Sequence, residues 1–210
     1  MQEKIDKINA GIVEMARITL EMWQLTHRAF MEHNLDLFST ILADENQLND
    51  LEKQLTSQLV EMSRSISLSL GKKEEACIAS YIEIVEDIEV IGDYCKDILE
   101  RLEIKISEKL LFSEDAVSDY NILYLRTEEA MKTLYTALEK RELSSLKKII
   151  DGLKDTEHLL EALQKNHHQR LIKGICSPLS GNMFINMLDF TALAYQQINK
   201  IARAFLKIKQ

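Results

Sequence analysis

Apolar residues in this chain recur at steps of three and four over stretches far too long for strands. That period lays one stripe along an α-helix. In the first stretch, about Glu3 to His33, the stripe is Ile5, Ile8, Ile12, Met15, Met22, Trp23 and Phe30. Asn34-Leu35-Asp36 breaks it and caps a second helix reaching about Ser69. Leu70-Gly71-Lys72-Lys73 reads as a turn, with Gly71 as the C-cap of the second helix. A third helix, about Lys73 to Leu111, carries Tyr81, Val85, Ile88, Cys95, Leu99 and Leu102 inward. Ser113 caps a fourth, to about Lys140. Glu142-Leu143-Ser144 opens a fifth that ends near Gly174, and Pro178 starts a sixth, where a missing amide costs little. Helices of about 30 residues reach roughly 45 Å, and short loops make them antiparallel neighbours.

The pattern repeats. A slide of 109 residues sets Leu37 on Leu146, Ile41 on Ile150, Leu51 on Leu160 and Glu52 on Glu161. With a shorter second connection, a slide of 103 sets Tyr81 on Phe184, Ile82 on Ile185, Val85 on Leu188 and Ile98 on Ile201. Any two amphipathic helices can be slid into some agreement, but here order and length match across three. The expected fold is all-α: two tandem antiparallel three-helix bundles, residues 1–112 and 113–210.

The third helix departs from its own pattern at one place. Gly92 fills the slot in the stripe between Ile88 and Cys95. A mid-helix glycine costs about 1 kcal/mol relative to alanine, so a close neighbour is expected there. Beside the stripe, Glu86, Glu89, Asp93 and Asp97 share one face, where like charges repel. A run of acids is most often a solvated face, and Lys96 and Arg101 flank this one. A divalent or trivalent cation held against a neighbouring helix is the alternative, because carboxylates suit hard cations and iron. Antiparallel pairing about Gly71 sets Asp93 opposite Asp50 and Asp97 opposite Asn46. Glu45, Asn49, Asp50 and Glu52 are therefore second-helix candidates, with Glu14 from the first. In the second repeat, Ala192 stands for Glu89, Gln196 for Asp93 and Tyr195 for Gly92; only Glu86 keeps an acid, Asp189. Any metal chemistry is expected in the first repeat alone.

Charge and composition narrow the class. With 34 acids against 26 bases, the net charge of −8 works against nonspecific binding of nucleic acid or anionic lipid. One proline and six glycines suit helices. Cys77, Cys95 and Cys176 lack metal-knuckle spacing and read as reduced thiols of a cytoplasmic protein. The N-terminal residues lack a signal-peptide core, and no apolar run is long enough to span a membrane.

The string Asp87-Ile-Glu89-Val-Ile-Gly92-Asp93 resembles the metal-binding motif of the PhoU family of phosphate-signalling regulators, Glu/Asp-x-x-x-Asp on a long helix. Glu89 and Asp93 fill its defining positions. His167-His168-Gln-Arg170-Leu171, followed by Gly174-Ile-Cys176-Ser177-Pro178, resembles the last junction in one PhoU branch. That branch is the cytosolic C-terminal domain of sodium/phosphate cotransporter-like proteins. The resemblance implies a regulatory, non-catalytic protein that contacts a phosphate transporter or its regulatory partner at the cytoplasmic face, with self-association left open. It implies a metal at Glu89 and Asp93, helped by Glu86 or Asp97. PhoU proteins commonly carry the motif in both repeats, and this chain departs from that. The alternative is a metal-free interaction bundle forming the soluble domain of a sodium/phosphate symporter.

The remaining signals are weaker. Adjacent His167 and His168 point about 100° apart on a helix, so with Cys176 they make a poor metal site. Packing and dipole complementation at the helix end suit them better, and the same reading covers His27 and His33. None of the five histidines has a glutamate three residues before it, as di-iron bundles require, and no nucleophile arrangement follows from spacing, so no enzyme is expected. Gln196, Lys200 and Arg203 share a face that reads as either a solvated surface or a docking surface.

Overall fold

The structure is a computed structural model that describes residues 2–66 and 71–208. Its helices are α1 (Gln2–Glu32), α2 (Asp36–Ile66), α3 (Lys72–Ser107), α4 (Glu114–Glu139), α5 (Leu146–Asp151), α6 (Leu153–Ile172) and α7 (Pro178–Ile208). A 3-10 turn, Leu143–Ser145, precedes α5, and the described residues contain no strand. The expected six long segments are present, with the fifth broken. α1, α2 and α3 pack as one antiparallel set and α4, α5/α6 and α7 as another. The most extensive helix interface, α3 on α7, joins them, supported by α1 on α4. A single buried apolar cluster runs through both sets, from Ile8 and Trp23 to Phe184 and Phe205.

Helix ends follow one rule. α1, α3, α4 and α6 each close with a residue in the left-handed region: His33 (φ 51°), Lys109 (φ 53°), Arg141 (φ 57°) and Gly174 (φ 68°). In each, the next amide donates to a carbonyl five residues back: Asn34 to Ala29 (3.3 Å), Leu110 to Lys105 (2.9 Å), Glu142 to Ala137 (3.0 Å) and Ile175 to Arg170 (3.0 Å). This closure satisfies carbonyls the helix leaves orphaned. It also ends α3 four residues before Leu111, where apolar periodicity would have carried it. Ser113 caps α4 as expected, its Oγ accepting from the amide of Ala116 at 3.2 Å.

Two readings need correction. Gly71 is not the C-cap of α2; with φ −82° and ψ 170° it is the N-cap of α3. Ser69, the expected end of the second helix, and Leu70, the first residue of the expected turn, lie outside the described residues. The fifth helix is interrupted at Gly152, and α7 supplies the reason. The hydroxyl of Tyr195 donates to the carbonyl of Ile149 at 3.3 Å, and Asn199 Nδ2 donates to those of Ile149 and Ile150 at 3.0 and 3.4 Å. Carbonyls captured by a neighbouring helix are lost to the helix's own ladder. A Cβ on residue 152 would lie 2.6 Å from the Tyr195 hydroxyl, so any side chain at the break requires that tyrosine to shift.

Candidate functional site: an acidic ridge between the second and third helices

Gly92 lets α2 and α3 close on one another. A Cβ there would collide with the side chain of Leu48, which is fully buried, and would lie 3.8 Å from Met22 of α1. The expected close neighbour of Gly92 is therefore Leu48. The contact sets the register between the two helices. Glu45 and Glu52 lie one turn to either side of Leu48, with Asn49 next to it, near Glu89, Asp93 and Lys96 of α3.

Glu45 is the buried member, only 6% exposed. Its Oε1 accepts from Asn49 Nδ2 at 3.0 Å and pairs with Lys96 Nζ at 3.3 Å. Burial pushes the Glu89 carboxyl up, and the charges of Asp93, Glu52 and Glu45 push it further; Lys53 opposes them. Burial likewise raises Asp93, with Lys96 opposing and Glu45 adding to the rise. Asp97, raised by burial and then by Glu100, continues the ridge with Arg101 and Lys96 against it. Lys96 is itself raised, chiefly by its hydrogen bond to Glu45.

Of the residues singled out by spacing, the fold gathers Glu89, Asp93, Glu45, Asn49 and Glu52, with Asp97 at the edge. Glu86 stands apart: it is exposed and, with Glu83, adds its charge to Asp87, which Lys200 of α7 opposes. Asp50 is exposed and Asn46 donates to the carbonyl of Leu42 in its own helix, so neither faces α3. The register differs from the expected one: Gly92 faces Leu48 and Lys96 faces Glu45. Glu14 pairs with Arg17 at 2.7 Å on the side of α1 that faces Tyr135 of α4, away from the ridge.

No three His, Cys, Asp or Glu side chains among the described residues converge on a common point. The ammonium of Lys96 pairs with Glu45 at 3.3 Å and adds its charge beside Asp93.

The second bundle inverts the arrangement. Where α3 has the hole, Gly92, α7 has the knob, Tyr195, and its hole is Gly152 on the facing chain. Ala192 is buried, and Asp189 accepts from Gln164 Nε2 at 2.9 Å. The asymmetry of carboxylates is thus also one of packing. Sequence reading missed Gly152, Tyr195 and Asn199; a glycine inside a strongly periodic helix was the available signal.

Of the residues read as capping the helix ends, His167 is buried, His27 is half-buried, and His33 and His168 are exposed. His167 is buried, stacks on Phe184 at 4.9 Å and is depressed by burial, then by Arg170 and His168. His33 Nε2 lies 2.8 Å from Nζ of buried Lys105; it too is depressed by burial and by that charge. A depressed imidazole stays neutral near pH 7 and complements no helix dipole. His27 bonds Asn121 at 2.8 Å and stacks on Tyr124 at 5.0 Å.

Residues 12–102, spanning most of α1 through α3, match the family model for the PhoU domain. Over that stretch the chain is similar to a PhoU domain. The ridge lies wholly within it. No curated protein matches the chain by sequence. Among solved structures, PhoU from Pseudomonas aeruginosa superposes with a TM-score of 0.88 at 12% identity, over 99% of this chain and 98% of that one. The phosphate transport system regulatory protein PhoU from Streptococcus pneumoniae gives 0.83 at 13% identity, over 100% and 96%. A putative PhoU-like phosphate regulatory protein from Shewanella oneidensis gives 0.55 at 14%, over 96% and 92%. At such identities the likeness is one of fold, and it extends the PhoU architecture from the matched domain to both bundles.

Proposed function

We propose that this chain is a non-catalytic regulator of phosphate transport or phosphate signalling that acts by protein contact on the cytoplasmic side of a membrane. The similarity to a PhoU domain across α1–α3 carries this reading, with a PhoU-like fold over the whole chain in support. The two bundles, residues 1–112 and 113–210, are then repeats with unequal roles. No described helix is long and apolar enough to cross a membrane, so a transporter would be met as a partner or through an attached segment. The test is deletion of the gene in its host, with phosphate uptake and phosphate-responsive expression measured and the intact chain then restored. Unchanged uptake and expression would remove the proposal.

For the ridge we propose neutralisation by lysine in place of a resident metal. Carboxylates that raise one another's pKa gain from any nearby cation, and Lys96 supplies one from the same helix. Elemental analysis of the purified protein should find less than one metal per chain, unaltered by Glu89→Ala with Asp93→Ala. Lys96→Met should bind a titrated divalent cation at least about tenfold more tightly than the parent. A stoichiometric metal lost in the double variant would instead establish the site implied by the PhoU motif.

A further inference from the structure

Beside the α1–α2 turn, an ammonium is buried with an imidazole as its partner. Lys105 of α3 is 5% exposed, and its Nζ lies 2.8 Å from His33 Nε2. The rings of Phe112 and Phe30 lie over it, with centroids 5.2 and 6.0 Å away. Phe112 belongs to the α3–α4 connection and meets Phe184 of α7 edge-on at 5.6 Å. The ammonium is thus lodged where the end of α1 and the link between the bundles come together. Among the described residues, His33 is the one hydrogen-bond acceptor its head has.

The two partners differ in access to protons: His33 is exposed and Lys105 is enclosed. With the ring neutral and its proton on Nδ1, the ammonium donates to Nε2. A protonated ring has no lone pair to offer. If it stays, two cations touch; if it swings into solvent, a buried charged donor is left without an acceptor. Both outcomes disfavour the closed turn. No carboxylate offsets the second charge. Glu32, next to His33, pairs with Arg28 at 2.9 Å. Burial and then the charge of Lys105 hold the His33 imidazole below its ordinary range, and burial holds Lys105 below its own. Neither Asp36 at the start of α2 nor Glu108 at the end of α3 is among the charges that act on the pair.

We propose that His33 and Lys105 form an acid-opened latch: proton uptake by the imidazole releases the lysine and frees the α1–α2 turn from the end of α3. The latch shares no residue with the acidic ridge and stands apart from the regulatory reading above. Its sign is fixed by the lowered imidazole: the closed state binds the proton less readily than the open one. Closure is therefore complete above the ordinary imidazole range and is lost as pH falls through and below it.

The test follows the full chain from about pH 7.5 to about 5, across the imidazole range. The histidine ring protons are titrated by NMR, and amide-exchange protection factors are read at residues 33–38 and 105–112. The α4–α5 turn, residues 140–145, has no histidine and is the internal control. His33 should titrate below the ordinary range. As it does, protection of both segments should fall severalfold while the control keeps its own. His33→Gln retains a carbonyl oxygen for Lys105 without titrating, and should hold protection constant. Lys105→Met fills the same space without charge, and should move the His33 titration upward and abolish the pH response. A His33 titration at or above the ordinary range would overturn the latch. So would an equal fall in protection in His33→Gln, or a His33 titration unmoved by Lys105→Met.

Discussion

Gly92 and Lys96 lie one turn apart on α3 and have opposite uses: one lets α2 approach, the other makes that approach tolerable for its charges. Gly92→Leu should overpack against buried Leu48 and cost about 1–3 kcal/mol, read from denaturant or thermal melts. A neutral result would mean that the helices separate freely. The carboxylates give a pH signature. Glu89 and Asp93 have folded-state pKa values raised above their ordinary ones. Between the unfolded and folded values the native state binds more protons, so stability falls as pH rises through that window. The loss is complete above the folded pKa and absent below the unfolded one. Glu89→Gln with Asp93→Asn should therefore raise stability at pH 7 by a few tenths to about 1 kcal/mol. The gain should fade as pH drops below the ordinary carboxylate range. A gain constant with pH would point to packing rather than charge. Spacing alone found Glu89, Asp93 and the close neighbour of Gly92, because each follows from the geometry of one helix. It misplaced Asp50 because facing residues on two helices depend on where the chain turns between them.

Among the elements, helix existence was legible and helix ends less so. Apolar periodicity persists past the last hydrogen-bonded turn, while a left-handed residue ends the helix locally. His33, Lys109 and Arg141 hold that conformation without being glycine, so the usual compositional mark was absent. Replacing Lys109 with glycine should stabilise the protein by up to about 1 kcal/mol, because glycine adopts positive φ without steric cost. A lowered melting temperature would show that the lysine side chain contributes more than its backbone costs. The break at Gly152 was hidden for another reason: its cause lies in Tyr195 and Asn199, more than forty residues away. Gly152→Ala should destabilise by about 1–3 kcal/mol. In a double-mutant cycle with Tyr195→Phe the two costs should fail to add, since both act on one contact.

On the scale of the whole molecule, α3 against α7 is where the two bundles meet, and it limits which surfaces are free. Lys200, one of the residues read as a docking face, stands beside half-buried Asp87, and Arg203 Nε donates to Asn199 Oδ1 at 2.7 Å. Lys200→Glu would set a like charge against Asp87 and loosen the union of the bundles. Any loss of phosphate uptake in a Lys200→Glu/Arg203→Glu variant is therefore evidence for docking only if its melting temperature is kept. An intact fold with unchanged uptake would assign that face to solvent. Overall architecture was readable because a duplicated apolar pattern constrains both halves alike; the asymmetry between the halves was readable in their carboxylates and hidden in their packing.

That hidden asymmetry bears on descent. Two halves born of one duplication begin interchangeable, and recombination between them can keep them alike. Here the hole is on α3 and its knob on α2 in one half, whereas α7 carries the knob and the Gly152 break the hole in the other. A crossover that placed an α7-like helix beside α2 would set Tyr195 against Leu48, two protrusions in one gap. The reciprocal product would leave Gly92 facing Gly152 across a void. With the shapes exchanged in this way, neither half could replace the other without a clash or a void at the helix contact.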